Sequence, residues 1–221
     1  MVFLCLNVNG MILAALADES LKQEFLLKGI PEGVNILWAD TMKVLCSLSD
    51  VDAYFDLQFR MDRERTDQLK KLLPKPVFIN SVPWTLKKIS QPFFRINGWP
   101  TLLKKEITEI AINQQSEGQV VKTIFGQLNR EVEIVPDIPG MITPRIIAMI
   151  INEAYYTFGD GVSSKSDIDL AMRLGTNYPY GPFEWSEKIG LERIYQLLLE
   201  LNESDKSYSI APALKIELTS S

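Results

Sequence analysis

The sequence predicts an α/β domain followed by an all-helical one. Three observations carry this reading. Short apolar runs of strand length alternate with helical patterns through the first part of the chain. After Asp137-Ile138-Pro139-Gly140 no strand-like run follows, and the apolar residues recur at helical spacing. The chain has 221 residues, 46% hydrophobic and 23% charged, so it can bury a core in each part. The expected domains are residues 1–138 and 139–221.

The elements follow in order. Val2–Leu6 reads as a buried strand ending at a polar turn. Met11–Lys28 reads as a helix, closed by Gly29 with Pro31 beyond it. Val34–Ala39 and Ala53–Phe59 read as strands. A charged helix spans about Asp62 to Leu73, and Pro74 and Pro76 mark its exit. Val77–Asn80, Phe93–Ile96 and Ile107–Ile112 are further strands. Ser116-Glu117-Gly118-Gln119 has capping-box spacing, and Val120, Val121, Ile124, Phe125 and Leu128 then share one helical face. Val132–Val135 is the last strand. Beyond it, Ile142–Phe158 is a helix apolar around most of its circumference, and so expected to be buried. Ser164 starts a helix to about Leu174. Gly181-Pro182 starts another, and Leu191–Leu201 is a final amphipathic one. The last 18 or so residues read as peripheral.

Composition excludes several classes. It is not that of a disordered, collagen-like or coiled-coil chain. Two cysteines, Cys5 and Cys46, exclude a disulfide scaffold and fit reduced thiols in a cytoplasm. A net charge of −5 argues against a nucleic-acid partner. No uninterrupted apolar run reaches the ~20 residues that span a bilayer. The apolar opening ends in Ala15-Leu16-Ala17, which has the look of a cleavage site. No Lys or Arg precedes it, however, and Asn7, Asn9 and Gly10 break the run, so a signal peptide is not expected. There is no histidine, which removes His-based general bases, His-containing triads and His-ligated zinc.

The second half carries a multi-part motif. Pro139-Gly140-Met141-Ile142-Thr143-Pro144-Arg145 is followed by Asn152-Glu153-Ala154. Gly161-Val162-Ser163 then leads into Asp167-Ile168-Asp169-Leu170-Ala171-Met172-Arg173-Leu174-Gly175. Tyr178-Pro179-Tyr180-Gly181-Pro182-Phe183-Glu184 and Ile189-Gly190-Leu191 complete it. In order and spacing this resembles the helical-domain signature of the 3-hydroxyacyl-CoA dehydrogenase family. The first half is similar to that family's Rossmann domain, with Gly33–Asp40 at the second strand and Asp50–Asp56 at the strand usually ending in glutamate. Only Thr41–Ser49 joins those two strands, where the family has a helical hairpin. The resemblance thus implies a trimmed Rossmann-like domain followed by a helical, dimerisation-type domain.

It also implies NAD as cofactor, an acyl-CoA ligand, a homodimer formed by the helical domain, and no metal. In a Rossmann domain a Gly-x-Gly-x-x-Gly turn holds the pyrophosphate. Asn7, Asn9 and Gly10 stand at the corresponding place, with one glycine left and Ile12 where the last would be. Gly10 is open to a second reading, as a plain turn glycine. Asp40 is placed for a ribose hydroxyl, or else for a turn or helix cap. The family uses a histidine as base and a glutamate that orients it. Ungapped counting puts Glu109 on the glutamate and Asn97 on the histidine; aligning the prolines gives Ile96 instead. Ser81 lies one place before the family's serine position, which is Val82 here, and the asparagine of a later turn is Pro144.

Asn97 cannot titrate, so a replacement base is required if the reaction survives. Lys104 and Lys105 read as a solvated face, and Glu109 as a carboxylate that burial would perturb. Phe93, Phe94, Trp99 and Trp84 line an acyl pocket or belong to the core. Three functions remain open. The first is a family member that binds acyl-CoA or a nucleotide without histidine-based hydride transfer. The second is an active NAD-dependent oxidoreductase with a replacement base. The third is a structural or regulatory dimer scaffold.

Overall fold

The computed structural model describes residues 10–220. The expected strand Val2–Leu6 and Cys5 lie outside the described residues. The chain divides into two compact units, Met1–Met141 and Ile142–Ser221.

The first unit is built on a seven-stranded sheet in the order β2-β1-β3-β4-β5-β6-β7. The strands are β1 (Met11–Leu16), β2 (Val34–Ala39), β3 (Ala53–Asp56), β4 (Val77–Ile79), β5 (Phe94–Ile96), β6 (Ile107–Ala111) and β7 (Glu131–Ile134). All neighbours are parallel except β5 and β6, which are antiparallel. Helices α1 (Glu19–Leu26), α2 (Met42–Ser47), α3 (Arg63–Lys70), α4 (Leu86–Ile89) and α5 (Gly118–Gln127) complete the unit.

Met11–Leu16 is thus a strand, not the first part of a helix. An all-apolar run such as MILAAL carries no periodicity of its own. Here it pairs on both edges, with β2 and with β3, and only a strand can do that. The helix starts at Asp18, whose carboxylate accepts from the Leu21 N–H.

Alternation along the strands divides the core into two layers. Leu13, Ala15, Phe55, Phe78, Phe94 and Ile110 face α1 and α5, meeting Leu21, Phe25, Val121 and Ile124. Ala14, Leu16, Tyr54, Val77 and Ile79 point the other way, toward Leu45, Leu69, Leu86 and Ile89. Phe55, Phe78 and Phe94 are register partners on successive strands. Their rings stack at 4.7 and 4.8 Å between centroids. The approach to α5 differs from expectation: a 3-10 turn over Gln115–Glu117 precedes it, and the Glu117 carboxylate reaches back to the N–H groups of Asn113 and Gln114, so the capping box is at Gln114 rather than Ser116.

Two buried arginines fix the exits of this unit. Arg95 donates to the Ser81 and Val82 carbonyls and pairs with Asp137. Asp137 in turn caps α4 through the Leu86 and Lys87 N–H groups. Arg130 donates to the Phe25 and Leu103 carbonyls. Burial lowers its guanidinium to about 10, and it lies over the Phe25 ring.

The second unit has α6 (Thr143–Gly159), α7 (Lys165–Thr176), α8 (Pro182–Ile189), α9 (Leu191–Ser204) and α10 (Pro212–Ser220). Ile147, Ile151, Tyr155, Phe183, Ile194, Leu197, Leu201 and Leu214 are buried. Asp169 of α7 caps α8, accepting from the Phe183 and Glu184 N–H groups at 2.8 and 3.2 Å. Gly181 leaves room for it, since a Cβ there would lie 2.3 Å from Asp169 Oδ1. Arg173 donates to Glu184, whose carboxylate also accepts from the Gly181 N–H.

Two expectations for this unit need correction. Helix α6 is not buried all round: Ile146 and Phe158 are exposed, as is Ile142 just before it. The C-terminal segment is not peripheral. Asn152 accepts from the Ala211 N–H and donates to the Ser209 carbonyl, and Tyr155 and Lys165 both bind Glu217 of α10. The polar groups of α6 and α7 thereby tie the segment down. Among the described residues, no helix is long and apolar enough to cross a membrane.

Candidate functional site at the strand ends

In open α/β sheets, ligands bind beyond the carboxyl ends of the parallel strands, where neighbouring connections part in opposite directions. Here that switch point lies between β1 and β3. The chain leaves β1 toward β2 on one side and returns through β3 on the other.

The turn after β1 is Ala17-Asp18, with no glycine. Asp18 is the N-cap of α1, its Oδ1 accepting from Leu21 N at 2.9 Å and its Oδ2 from Gln58 Nε2 at 3.2 Å. Glu19 adds a second acid in the first turn. At the end of β3, Asp56 is fully buried and held by Arg65, Nε to Oδ2 at 2.7 Å and Nη2 to Oδ1 at 2.5 Å. Burial pushes the Asp56 carboxyl up, against the opposite pull of Arg65. These residues do not fit a pyrophosphate: a carboxylate already holds the helix N-terminus, and Arg65 is committed to Asp56.

Gly10 is elsewhere. It precedes β1 instead of following it, which corrects its expected place in a phosphate turn. Its φ of +93° and the packing of its backbone on Gly33 make it a structural glycine, since a Cβ would lie 2.2 Å from the Gly33 carbonyl oxygen. Asn7 and Asn9 lie outside the described residues. Asp40 directly follows β2 and is exposed; the cap of α2 is the next residue, Thr41, which accepts from Val44 N.

The other half of the candidate site is formed by the carboxyl ends of β4 and β5 and by the amino-terminal part of β6, which runs antiparallel to β5. Asn80 donates to the carbonyls of Leu57 and Gly98 and accepts from Gly98 N, so its amide stitches three strand exits together. Asn97 and Glu109 face each other across the antiparallel β5–β6 pair, Asn97 N donating to Glu109 O at 3.0 Å. Side chains on such opposed positions share a face of the sheet. Both are buried, Asn97 5% and Glu109 8% exposed, and Asn97 Oδ1 has no hydrogen-bond partner. The loop beyond is fixed by Glu24, whose carboxylate accepts from Thr101 N at 2.7 and 3.0 Å. Thr101 has a φ of +71°, an uncommon value for a β-branched residue, and its buried hydroxyl is unpartnered.

Ser81 is fully buried, and its hydroxyl donates to the Trp84 carbonyl at 2.9 Å. That bond commits it to the fold, and it is not free to meet a ligand. Phe93 and Phe94 point into opposite core layers, and Trp99 is buried. They are core residues, not one pocket wall. Lys104 and Lys105 are exposed. Asp18, Gln58, Arg65 and Asn80 were not singled out by sequence reasoning. Asp18 had a legible signal, an acid immediately before an amphipathic helical segment; the others are recognisable only by what they touch. Among the described residues no cluster of three acidic, cysteine or histidine side chains is placed to hold a metal.

In the helical unit a cavity of about 390 Å³ opens between α6 and α7, lined by Ile150, Ala154, Thr157, Val162, Ile168 and Met172. The residues of the long sequence motif serve the fold around it: Asp169, Gly181, Phe183 and Glu184 join α7 to α8.

Comparison with known proteins agrees with this division. Residues 140–217 match the family model of the 3-hydroxyacyl-CoA dehydrogenase C-terminal domain. The chain is 44% identical over 95 residues to a 3-hydroxyadipyl-CoA dehydrogenase of Escherichia coli, covering 43% of this chain and 20% of that protein. It is 33% identical over 115 residues to a 3-hydroxybutyryl-CoA dehydrogenase of Clostridioides difficile, covering 49% and 41% respectively. The matches thus span a minor part of these relatives' own length. A solved (S)-3-hydroxybutyryl-CoA dehydrogenase from Ralstonia eutropha superposes with a TM-score of 0.73, covering 95% of this chain and 93% of that one. Its 16% identity speaks for the fold alone. A 3-hydroxybutyryl-CoA dehydrogenase structure from Escherichia coli gives a TM-score of 0.55 at 32% identity, over 63% of this chain and 31% of the other. Over residues 140–217, the helical unit is thus similar to the C-terminal domain of the 3-hydroxyacyl-CoA dehydrogenase family.

Proposed function

We propose that this protein binds an acyl-CoA thioester at its strand ends without carrying out histidine-based hydride transfer. The observation that carries the reading is the Asn97–Glu109 pair. A buried carboxylate faces a buried side chain that cannot take a proton, where acid–base oxidation of an alcohol needs a titratable base. The amide retains hydrogen-bonding capacity, and the loop that follows it is held rigid by Glu24 and Asn80. Such a surface can orient a polar acyl group without transforming it.

The test is a calorimetric titration with acetoacetyl-CoA and with 3-hydroxybutyryl-CoA, paired with an absorbance assay for NADH consumption. Saturable binding with no consumption supports the reading. Steady NADH oxidation dependent on acetoacetyl-CoA would overturn it and establish an oxidoreductase with a replacement base.

A second reading, compatible with the first, is a homodimer formed through the helical unit. Its support is the exposed apolar surface there: Leu174 is 79%, Val162 70% and Ile146 55% exposed, and Val162 lines the cavity between α6 and α7.

A further inference from the structure

We propose that Asp18 is a specificity-determining residue that refuses the diphosphate of a dinucleotide at the switch point. The start of a helix at this place is ordinarily an anion seat, because its first N–H groups are unpaired and the helix dipole is positive there. In this chain the seat has a built-in occupant. Asp18 Oδ1 takes the Leu21 N–H, and Gln58, from the loop after β3, holds Oδ2. The carboxylate is therefore fastened from both strands that flank the switch point.

Three further features act in the same direction. Glu19 places a second negative charge in the first turn. Arg65, the cation at the neighbouring strand end, has Nε and Nη2 engaged by Asp56. The turn Ala17-Asp18-Glu19-Ser20 has side chains throughout, where close backbone approach to a phosphate calls for glycine. A diphosphate would have to displace the Asp18 carboxylate and then lie beside it. The argument is independent of Asn97 and Glu109, because it concerns the β1–β3 end of the strand row rather than the β5–β6 end.

The experiment is calorimetric titration of the full chain with NADH and with inorganic pyrophosphate, in the wild type, Asp18→Ser and Asp18→Glu. Serine is neutral, shorter and as good an N-cap as aspartate, so the fold is kept; thermal melts check this. The expected result is no saturable binding of either probe to the wild type or to Asp18→Glu up to millimolar concentration. Asp18→Ser should bind pyrophosphate at least tenfold more tightly than the wild type, with an affinity that falls as salt is raised. Micromolar NADH binding by the wild type would overturn the proposal. So would an Asp18→Ser variant that melts like the wild type and gains no affinity for pyrophosphate. Acyl-CoA binding can succeed or fail separately, so this outcome and that of the acyl-CoA titration are distinguishable.

Discussion

Arg65, in the first turn of α3, grips Asp56 at the end of β3 with two parallel hydrogen bonds of 2.7 and 2.5 Å. The acid is fully buried and the arginine partly so, its side chain 15% exposed. A fork-to-fork pair fixes both partners in angle as well as distance. It joins α3 to the centre of the sheet and sets the position of Gln58, whose N–H binds Asp56 Oδ1 at 3.1 Å.

Removing Arg65 leaves a buried carboxylate without its cation. Arg65→Ala is expected to destabilise the chain by about 3–5 kcal/mol, as for other broken buried pairs. Urea denaturation followed by tryptophan fluorescence measures this. A loss under about 1 kcal/mol would place the pair among exposed, weakly contributing bridges.

Asp169 tests the joint between α7 and α8. Asp169→Ala removes the acceptor for two helix N-terminal N–H groups and should cost about 1–2 kcal/mol. Burial pushes this carboxyl up, while the Phe183 and Glu184 N–H groups pull it down. A carboxyl raised in the folded state holds its proton more tightly there than when unfolded. Its favourable contribution is complete below the ordinary carboxylate value of about 4 and is lost as pH rises through the raised value. The stability of the wild type relative to Asp169→Asn should therefore fall as pH rises from about 4, in urea titrations at matched ionic strength. A difference independent of pH would contradict the shift.

Asn97 separates a binding role from a packing role. Its buried Oδ1 has no partner, an arrangement that costs about 1–3 kcal/mol. Asn97→Leu is expected to leave the melting temperature unchanged or raised, and to weaken acetoacetyl-CoA binding at least tenfold. Equal affinity in the variant would remove Asn97 from the binding surface.

The exposed flank of the helical unit predicts association. The wild type should sediment as a dimer at micromolar concentration. Leu174→Asp/Val162→Asp should sediment as a monomer with an unchanged circular dichroism spectrum. A monomeric wild type would end the dimer reading.

Much of the fold was legible because many elements signal locally. Val34–Ala39 is a strand over the expected residues, and Asp62 and Ser164 cap the helices they were expected to begin. The family motif was legible for a related reason. Asp169, Gly181 and Glu184 depend on one another through short contacts within 15 residues of chain, so their spacing records the joint they make. The first strand was misplaced because MILAAL has no polar residue to mark a period. Pairing with β2 and β3, 20 to 40 residues further on, decided its state.

The sequence by itself determined the order of domains, the lack of any histidine base and the identity of the helical unit, since composition and short-range spacing suffice for these. Only the tertiary structure decided what the polar residues do. Ser81 turned inward to a carbonyl, Gly10 moved to the far end of its strand, and Asn97 came to face Glu109. Asp18 and Gln58, 40 residues apart, met at the switch point. Whether a polar side chain is a cap, a clamp or a ligand contact depends on which strand ends the sheet brings together, and pairing partners distant in the chain leave no mark on local spacing.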